Sequence, residues 1–469
     1  MMKLKAFSLF FLFGCIGFTA QAQHQIYGYV VEKETKGPIE NVDIYDNEAG
    51  KSYSTDQDGY FEINDLSSGT YVLFFYKLGY EVVQTPVVID SDSKDISVEM
   101  EKLSRELTEL SVTDQQEQVF STRRLREVEG TSIFAGKKNK VINLEQMTVN
   151  TSGNNARQIY SQISGLNIFE SNDAGLQLNI GGRGLDPSRS SNFNIRQNGY
   201  DISADVLGYP ESYYTPTAEA LDEIQVIRGA ASLQYGTQFG GLVNFKLKKP
   251  VRNRNLVFTS RQSVGSDALF TSFNSLSGTT GKLGYYGFFN YKNGDGFRPN
   301  SGFKSQNAYI YTDYQLSKNT KLSADFTYLY YLAQQPGGLT DAQFYRNPEV
   351  SNRTRNWFEV DWKLASAKLE HTFSSRTKFS LLAFGLSASR KSLGFRTNRV
   401  SQEDDLNAPR DLILGEFKNW GAEARFLHRY KIGSRNSVFL IGSKYYSSKN
   451  TSVQGPGTAS AEANFTLAD

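Results

Sequence analysis

Alternation limits the fold of this chain more than any other feature of its sequence. From Leu322 to Leu332, the residues Leu322, Ala324, Phe326, Tyr328, Tyr330 and Leu332 interleave with Ser323, Asp325, Thr327, Leu329 and Tyr331. Successive side chains of a strand point to opposite faces, so this segment reads as β-strand with one face apolar throughout. Its other face begins polar and turns apolar toward the end. Trp420, Ala422, Ala424 and Phe426 alternate in the same way with Gly421, Glu423, Arg425 and Leu427. An antiparallel sandwich and a membrane barrel with a polar lumen both produce this pattern. Aromatic residues near the strand ends (Tyr285, Tyr286, Phe288, Phe289, Tyr328, Tyr330 and Tyr331) fit interfacial girdles and favour the barrel. About nine or ten such strands are expected between Asn255 and Lys449. Short turns at Ser317–Asn319 and Ser374–Arg376 alternate with longer connections at Gly294–Lys304, Gln334–Arg355 and Arg396–Leu412. Short turns at one end and long loops at the other are what a membrane barrel requires.

The N-terminus fits export. Lys3 and Lys5 precede an apolar run from Ala6 to Phe18, and Ala20-Gln21-Ala22 offers a small-residue cleavage site, so residues 1–22 read as a secretory signal. The only cysteine, Cys15, lies inside that segment, which leaves the mature chain without disulfide or zinc-thiolate chemistry. His24, His371 and His428 are too scattered to suggest a metal cluster. Lys and Arg total 51 against 49 Asp and Glu, so overall charge asks for neither nucleic acid nor an anionic surface. No later stretch approaches the roughly 18 apolar residues of a membrane helix. With 13% aromatics and 40 glycines, the composition suits many short strands. No Ser/His/Asp set, zinc motif or supported carboxylate pair is present; an enzyme is not expected, and neither is a resident cofactor or metal.

Residues 23–102 hold short candidate strands at Ile26–Val31, Val42–Tyr45, Tyr60–Ile63, Tyr71–Tyr76, Val87–Ile89 and Ile96–Met100, separated by Gly- and Asp-rich turns. Regular spacing of this kind predicts a small β-sandwich. Gly28, Gly37-Pro38, Val42, Thr55-Asp56, Asp58-Gly59-Tyr60-Phe61 and Gly79-Tyr80 resemble the carboxypeptidase regulatory-like domain that precedes outer-membrane receptors of the Bacteroidetes type. Asp56 and Asp58 read as a turn whose side chains bond the backbone rather than as a calcium loop. Residues 103–125 are a polar connector with one β-prone patch, Leu107-Thr108-Glu109-Leu110-Ser111-Val112-Thr113. Such a patch is a linker strand or a segment that adds to a partner's sheet.

Residues 126–250 are glycine-rich and carry two Arg-Gly pairs, Arg183-Gly184 and Arg228-Gly229. Short strands and glycine turns predict an α+β unit; a phosphate-binding loop would need a strand, a helix and a Lys-Ser or acid that are missing here. Ala156-Arg-Gln-Ile-Tyr160, Gly165-Leu-Asn-Ile168, Gly182-Arg-Gly184, Glu223-Ile-Gln-Val-Ile-Arg-Gly229, Ser232-Leu-Gln-Tyr-Gly236 and Gly240-Gly-Leu-Val-Asn-Phe245 follow in order. That series resembles the plug domain of TonB-dependent outer-membrane receptors. Within the superfamily, Asn192-Phe-Asn, Gly199-Tyr-Asp-Ile and the Tyr209–Tyr214 loop are similar to the ferric-dicitrate branch, and Gln197-Asn-Gly-Tyr200 lacks the Tyr-Val-Val-Asp-Gly-type segment of the glycan branch.

The resemblance implies a mainly β protein with a sandwich (23–102), a connector (103–125), a plug (126–250) and the first part of an antiparallel transmembrane barrel (251–469). Family barrels have about 22 strands, so the chain is expected to be an N-terminal fragment of a longer receptor. Leu107–Thr113 resembles the box that binds TonB with its inner-membrane energising complex. Arg183 and Arg228 are assigned to ion pairs between plug and barrel, because a buried guanidinium needs a carboxylate; Glu423, on the lumen face of its strand, is the candidate partner. Expected ligand contacts are Arg189, Asn192, Tyr209 and Tyr213 at the plug apex and Arg298, Arg346, Arg353 and Arg396 in the outer loops, since guanidinium suits carboxylate recognition. The expected function is TonB-driven import of a small ferric chelate such as iron(III) dicitrate across the outer membrane, with the N-terminal domain in the periplasm and the barrel in outer-membrane lipid. The alternatives are an oligosaccharide or peptide importer, and a non-transporting surface adhesin or signalling protein.

Overall fold

The computed structural model describes residues 24–46, 51–77, 79–90, 93–102, 122–134, 138–144, 147, 149–161, 163–169, 175–182, 184–205, 211–228, 234–236, 240–397, 399–433 and 435–468. The export segment, Cys15, the Leu107–Thr113 patch, Arg183 and Tyr209 lie outside these residues. The fold is mainly β, with an N-terminal β domain and a large antiparallel sheet resembling part of a barrel. No helix among the described residues is long and apolar enough to cross a membrane.

The N-terminal unit contains β1–β7 (His24–Glu32, Asp43–Asp46, Lys51–Ser54, Tyr60–Leu66, Gly69–Tyr76, Val83–Ile89 and Lys94–Met100). They form two sheets, ordered β4-β1-β7 and β3-β2-β5-β6. Inward residues alternate along each strand, and Ile26, Val30, Phe61, Ile63, Leu73, Phe75, Val98 and Met100 close a common core. Gly28 is fixed by close approach: a Cβ there would stand 1.7 Å from the Ile96 carbonyl oxygen of the parallel neighbour strand. β3 is the strand that alternation did not show; its four residues, KSYS, hold one largely apolar side chain, Tyr53, so no apolar pattern emerges. The Asp56 carboxylate accepts the N–H groups of Asp58 and Tyr60, both at 2.9 Å, which makes it the turn clamp expected from its spacing. No cluster of three or more metal-ligating side chains occurs among the described residues.

Residues 117–469 pack as one unit. Its first part holds β8–β17 (Thr122–Arg123, Val128–Glu129, Ser132–Ile133, Lys138–Asn143, Leu166–Phe169, Asn179–Gly182, Phe193–Gln197, Tyr200–Asp201, Leu221–Arg228 and Gly241–Leu247). Six of these make a sheet in the order β15-β14-β17-β16-β11-β8, with β14 and β17 parallel. A short helix, α1 (Ala156–Tyr160), starts where the Asn155 side chain accepts the Gln158 N–H. Gly241 opens β17 at φ +121°, with the Ile227 carbonyl oxygen 2.4 Å from where a Cβ would be. Only glycine fits that entry.

The second part is a nine-stranded sheet, β18–β26 (Val257–Val264, Phe270–Thr280, Leu283–Gly294, Phe303–Ser317, Thr320–Gln334, Trp357–Thr372, Thr377–Gly394, Asp411–Ile432 and Arg435–Pro456). Every strand pairs antiparallel with its sequence neighbour. Short turns at 281–282, 318–319 and 373–376 gather at the end where β25 gives way to β26, and the longer connections that follow β20, β22 and β24 lie at the other. On β22, Leu322 and Phe326 face outward and are exposed, whereas Ser323, Asp325, Thr327, Leu329, Tyr331 and Ala333 are buried. The sequence shows the inner face turning apolar, and that face lies against the plug along both its polar and its apolar half: Asp325 accepts from Tyr200, Thr327 accepts from Gln197, and the Gln177 amide donates to the Tyr331 hydroxyl at 2.7 Å. Plug and sheet share one hydrophobic core that joins Ile195, Tyr200, Tyr213 and Val243 to Phe358, Trp362, Phe384 and Phe417.

Candidate functional site

Two arrangements carry chemistry in this unit: an ion cluster that joins plug to barrel sheet, and a cavity at the long-loop end. The cluster centres on Arg196. Strand β14 (FNIRQ) is buried at every position, so its one charged residue must be satisfied inside the protein. Arg196 is fully buried. Its Nη1 lies 3.1 Å from Glu423 Oε1, Nη2 lies 3.2 Å from the Asp201 carboxylate, and Nε donates to Asn194 Oδ1 at 2.8 Å. The guanidinium also donates to the carbonyl oxygens of Gly199 and Tyr235 and lies 4.8 Å from the Tyr235 ring centroid. Burial opposes the charge, but Asp201 and Glu423 outweigh it and hold the Arg196 guanidinium even more firmly protonated than usual.

Glu423 receives Arg425 Nη2 at 3.0 Å and Lys444 Nζ at 3.5 Å as well, and Lys444 also bonds Asp201. Around this centre, Asp205 accepts from Tyr446 (3.2 Å), Ser448 (3.0 Å) and Asn450 (2.9 Å) of β26. Asn419 of β25 donates to the Ala204 carbonyl oxygen at 2.7 Å. The plug is thereby fastened to two adjacent strands.

Glu423 therefore does pair with a plug arginine, but the arginine is Arg196. Of the two expected partners, Arg183 lies outside the described residues, and Arg228 sits at the end of β16 and donates to the Ser164 carbonyl oxygen at 2.9 Å; no described carboxylate lies within ion-pair distance of Arg228. The physical reason is burial. Arg228 is half-exposed and water serves it, whereas Arg196 has no such outlet. An arginine in the middle of Phe193–Gln197, flanked by apolar and amide residues, was the signal that could have found it.

The long-loop cavity has a volume of about 620 Å³. Its wall includes Gln177 of the plug, Phe358 and Leu393 of the strands, and Phe297, Phe395 and Val400 of the loops. Among the described residues its charged side chains are Arg298, Arg353 and Arg396. Arg353 is held in place by bonds to the carbonyl oxygens of Asn352 and Gln402 and lies over the Phe395 ring. Arg298 donates to the Val350 carbonyl oxygen, while Arg396 is exposed. The loops above are stapled by Arg355, which grips Asp404 through two nitrogens and also bonds the carbonyl oxygens of Asp405, Ala408 and Ala459. Arg410 adds bonds to the carbonyl oxygens of Arg355, Thr458 and Glu462.

Three of the expected loop arginines thus meet at one cavity. Arg346 does not; it ends the short exposed helix α2 (Asp341–Arg346). Among the apex residues, Arg189 pairs with Glu211 at 2.8 Å, and Asn192 donates to the Asp186 carbonyl oxygen. Tyr213 is fully buried, bonded to Glu211 and packed on Phe358 and Trp362. None of these three lines the cavity. Gln177 does, and an uncharged residue in a strand-like stretch gave no sequence signal for it.

A small domain latched by buried ion pairs to an antiparallel sheet that resembles part of a barrel has the architecture of a plugged barrel. Residues 135–242 match the family model of the TonB-dependent Receptor Plug Domain, and residues 26–112 that of the CarboxypepD_reg-like domain. The chain therefore carries a TonB-dependent receptor plug domain behind an N-terminal CarboxypepD_reg-like domain. Its fold is similar to the unliganded ferric citrate transporter FecA (20% identity, 75% of this chain and 51% of that one, TM-score 0.60). It is also similar to the ferripyoverdine receptor of Pseudomonas aeruginosa (17%, 68% and 43%, 0.56) and to BauA, the ferric preacinetobactin receptor of Acinetobacter baumannii (15%, 69% and 49%, 0.55). The chain spans about half the length of these structures.

Proposed function

We propose that this protein imports an anionic ferric chelate of the iron(III) dicitrate type across the outer membrane, gated by the plug and driven by TonB. The observation that carries the proposal is the long-loop cavity, whose charged lining among the described residues consists of three arginines and no carboxylate. Fixed guanidinium groups in a partly desolvated pocket favour a ligand with several carboxylate oxygens. The similarity to a ferric citrate transporter supports the same cargo class. In this reading the barrel sits in outer-membrane lipid, the short turns and the sandwich face the periplasm, and TonB engages Leu107–Thr113.

Binding of iron(III) dicitrate to the full-length receptor tests the cargo. Micromolar binding is expected, weakened about tenfold in Arg396→Gln through loss of one charge-assisted contact. No binding at micromolar ligand would move the cargo to another class. Deleting residues 107–113 tests the drive: an importer keeps binding and loses uptake, whereas an adhesin or signalling protein keeps every activity it has.

A further inference from the structure

A second cavity, of about 300 Å³, lies below the Arg196 cluster, between the plug sheet and the short-turn ends of β21–β25. Six cationic side chains line it against four carboxylates: Glu129, Asp325, Glu370 and Glu423. All four acids are already engaged. Glu423 holds Arg196, Arg425 and Lys444; Asp325 accepts from Tyr200 and Ser366; Glu129 lies 3.6 Å from Arg123; and Glu370 is shared by Lys321 (3.0 Å) and Lys368 (2.7 Å). Lys246 sits beside Glu223 across β16–β17, but that carboxylate is taken by Arg123 and Gln225. No described carboxylate lies within ion-pair distance of Lys246 or Lys249. Burial, helped by Lys368 and Lys249, pushes the Lys246 ammonium down to about 8, and Glu223 and Glu129 oppose this only partly.

We propose that this chamber is a second anion-binding site, in which Lys246 and Lys249 of the plug and Lys321 and Lys368 of the barrel sheet hold a small polycarboxylate or an oxyanion of similar charge. Two of its lysines share one carboxylate and two have no described carboxylate within ion-pair distance, so an entering dianion meets an electropositive cluster of partly buried and exposed ammonium groups. The β9–β10 hairpin supplies part of the wall through Glu129, Gly130, Thr131 and Ser132. Thr131 is bonded to Ser380 and Ser132 to Arg425, so the hairpin rests on the barrel strands that supply the lysines' neighbours. Withdrawing the hairpin removes the Glu129 charge and strengthens the field on an anion. That the anion is the cargo in transit rests on the proposed function above; the site itself does not.

The test uses the full-length receptor with selenate as an anomalously scattering dianion in crystals, and citrate in calorimetric titration. A selenate peak within hydrogen-bond distance of Lys246 Nζ is expected. Citrate should fill two classes of site, the weaker one lowered about tenfold by Lys246→Met with Lys368→Met and kept in Arg396→Gln. Lys246→Arg should restore it, and Glu129→Gln should tighten it severalfold. Absence of the selenate peak, or an unchanged affinity of the weaker citrate class in the double methionine variant, overturns the site. Uptake of iron(III) dicitrate assigns the source once the site is seen: slowed uptake with unchanged outer affinity marks cargo in transit, and unchanged uptake marks a free periplasmic anion. Failure of iron(III) dicitrate to bind at the long-loop cavity would leave the selenate result standing.

Discussion

Two arginines in the plug differ in what they cost to lose. Arg196 meets two carboxylates, two carbonyl oxygens and an aromatic face with no exposure to water, while Arg228 meets one carbonyl oxygen and solvent. Removing one partner of a buried pair strands the other, so Arg196→Met is expected to destabilise the plug by about 3–5 kcal/mol. Arg228→Met is expected to cost about 1 kcal/mol, the worth of an ordinary hydrogen bond. Protease sensitivity of the plug across a urea series, in the full-length receptor, measures both. Equal losses would mean that the ion cluster does not fasten the plug. Glu219 shows the opposite situation in the same domain. Burial raises its carboxyl above the ordinary range, and Lys292, Arg261 and Lys248 oppose this only partly.

At the scale of the strand, alternation separates two solvents. Phe326, outward at the middle of β22, is 46% exposed, and its neighbour Thr327 is fully buried against the plug, where it accepts from Gln197. If the outward face meets lipid, Phe326→Lys should cost about 2–4 kcal/mol of folding stability in vesicles, the penalty of a cation near the midplane. Thr327→Ser keeps the hydroxyl and should cost less than about 1 kcal/mol. Urea titration of the receptor refolded into liposomes reads both; a tolerated Phe326→Lys would argue against a lipid-facing wall. This alternation is also why so much of the fold was legible. Nine long strands repeat a pattern set by one rule, and the plug strands end in glycines that only certain backbones need. With one largely apolar side chain, β3 offered no period to read. The partner of Glu423 was hidden because burial, not neighbouring glycines, decides which arginine must be paired. Gln177 and the loop staples of Arg355 and Arg410 depend on connections whose course no periodicity encodes.

For plug and sheet together, the two seams are unlike. Along β24–β26 the plug is held by the Arg196 cluster, by the three bonds to Asp205 and by Asn419. Along β20–β21 the Thr217 hydroxyl accepts from Asn290 and Asn307, yet Asn290 Oδ1, Asn307 Oδ1, Tyr286 Oη and Glu219 Oε2 are buried without a protein hydrogen bond. Such oxygens are costly unless water reaches them, so this seam is the cheaper one to part and to hydrate. A plug that opens a path should therefore yield at β20–β21 first and pivot on β24–β26. Locking each seam with paired cysteines in the full-length receptor tests this. Thr217→Cys with Asn307→Cys, oxidised, should lower uptake by about tenfold or more and recover on reduction, as expected when a gating motion is blocked. Ala204→Cys with Asn419→Cys should leave uptake within about twofold, because that seam stays closed throughout. If the second lock blocks uptake and the first does not, the pivot lies on the other side, and the buried ion pairs must break in every transport cycle.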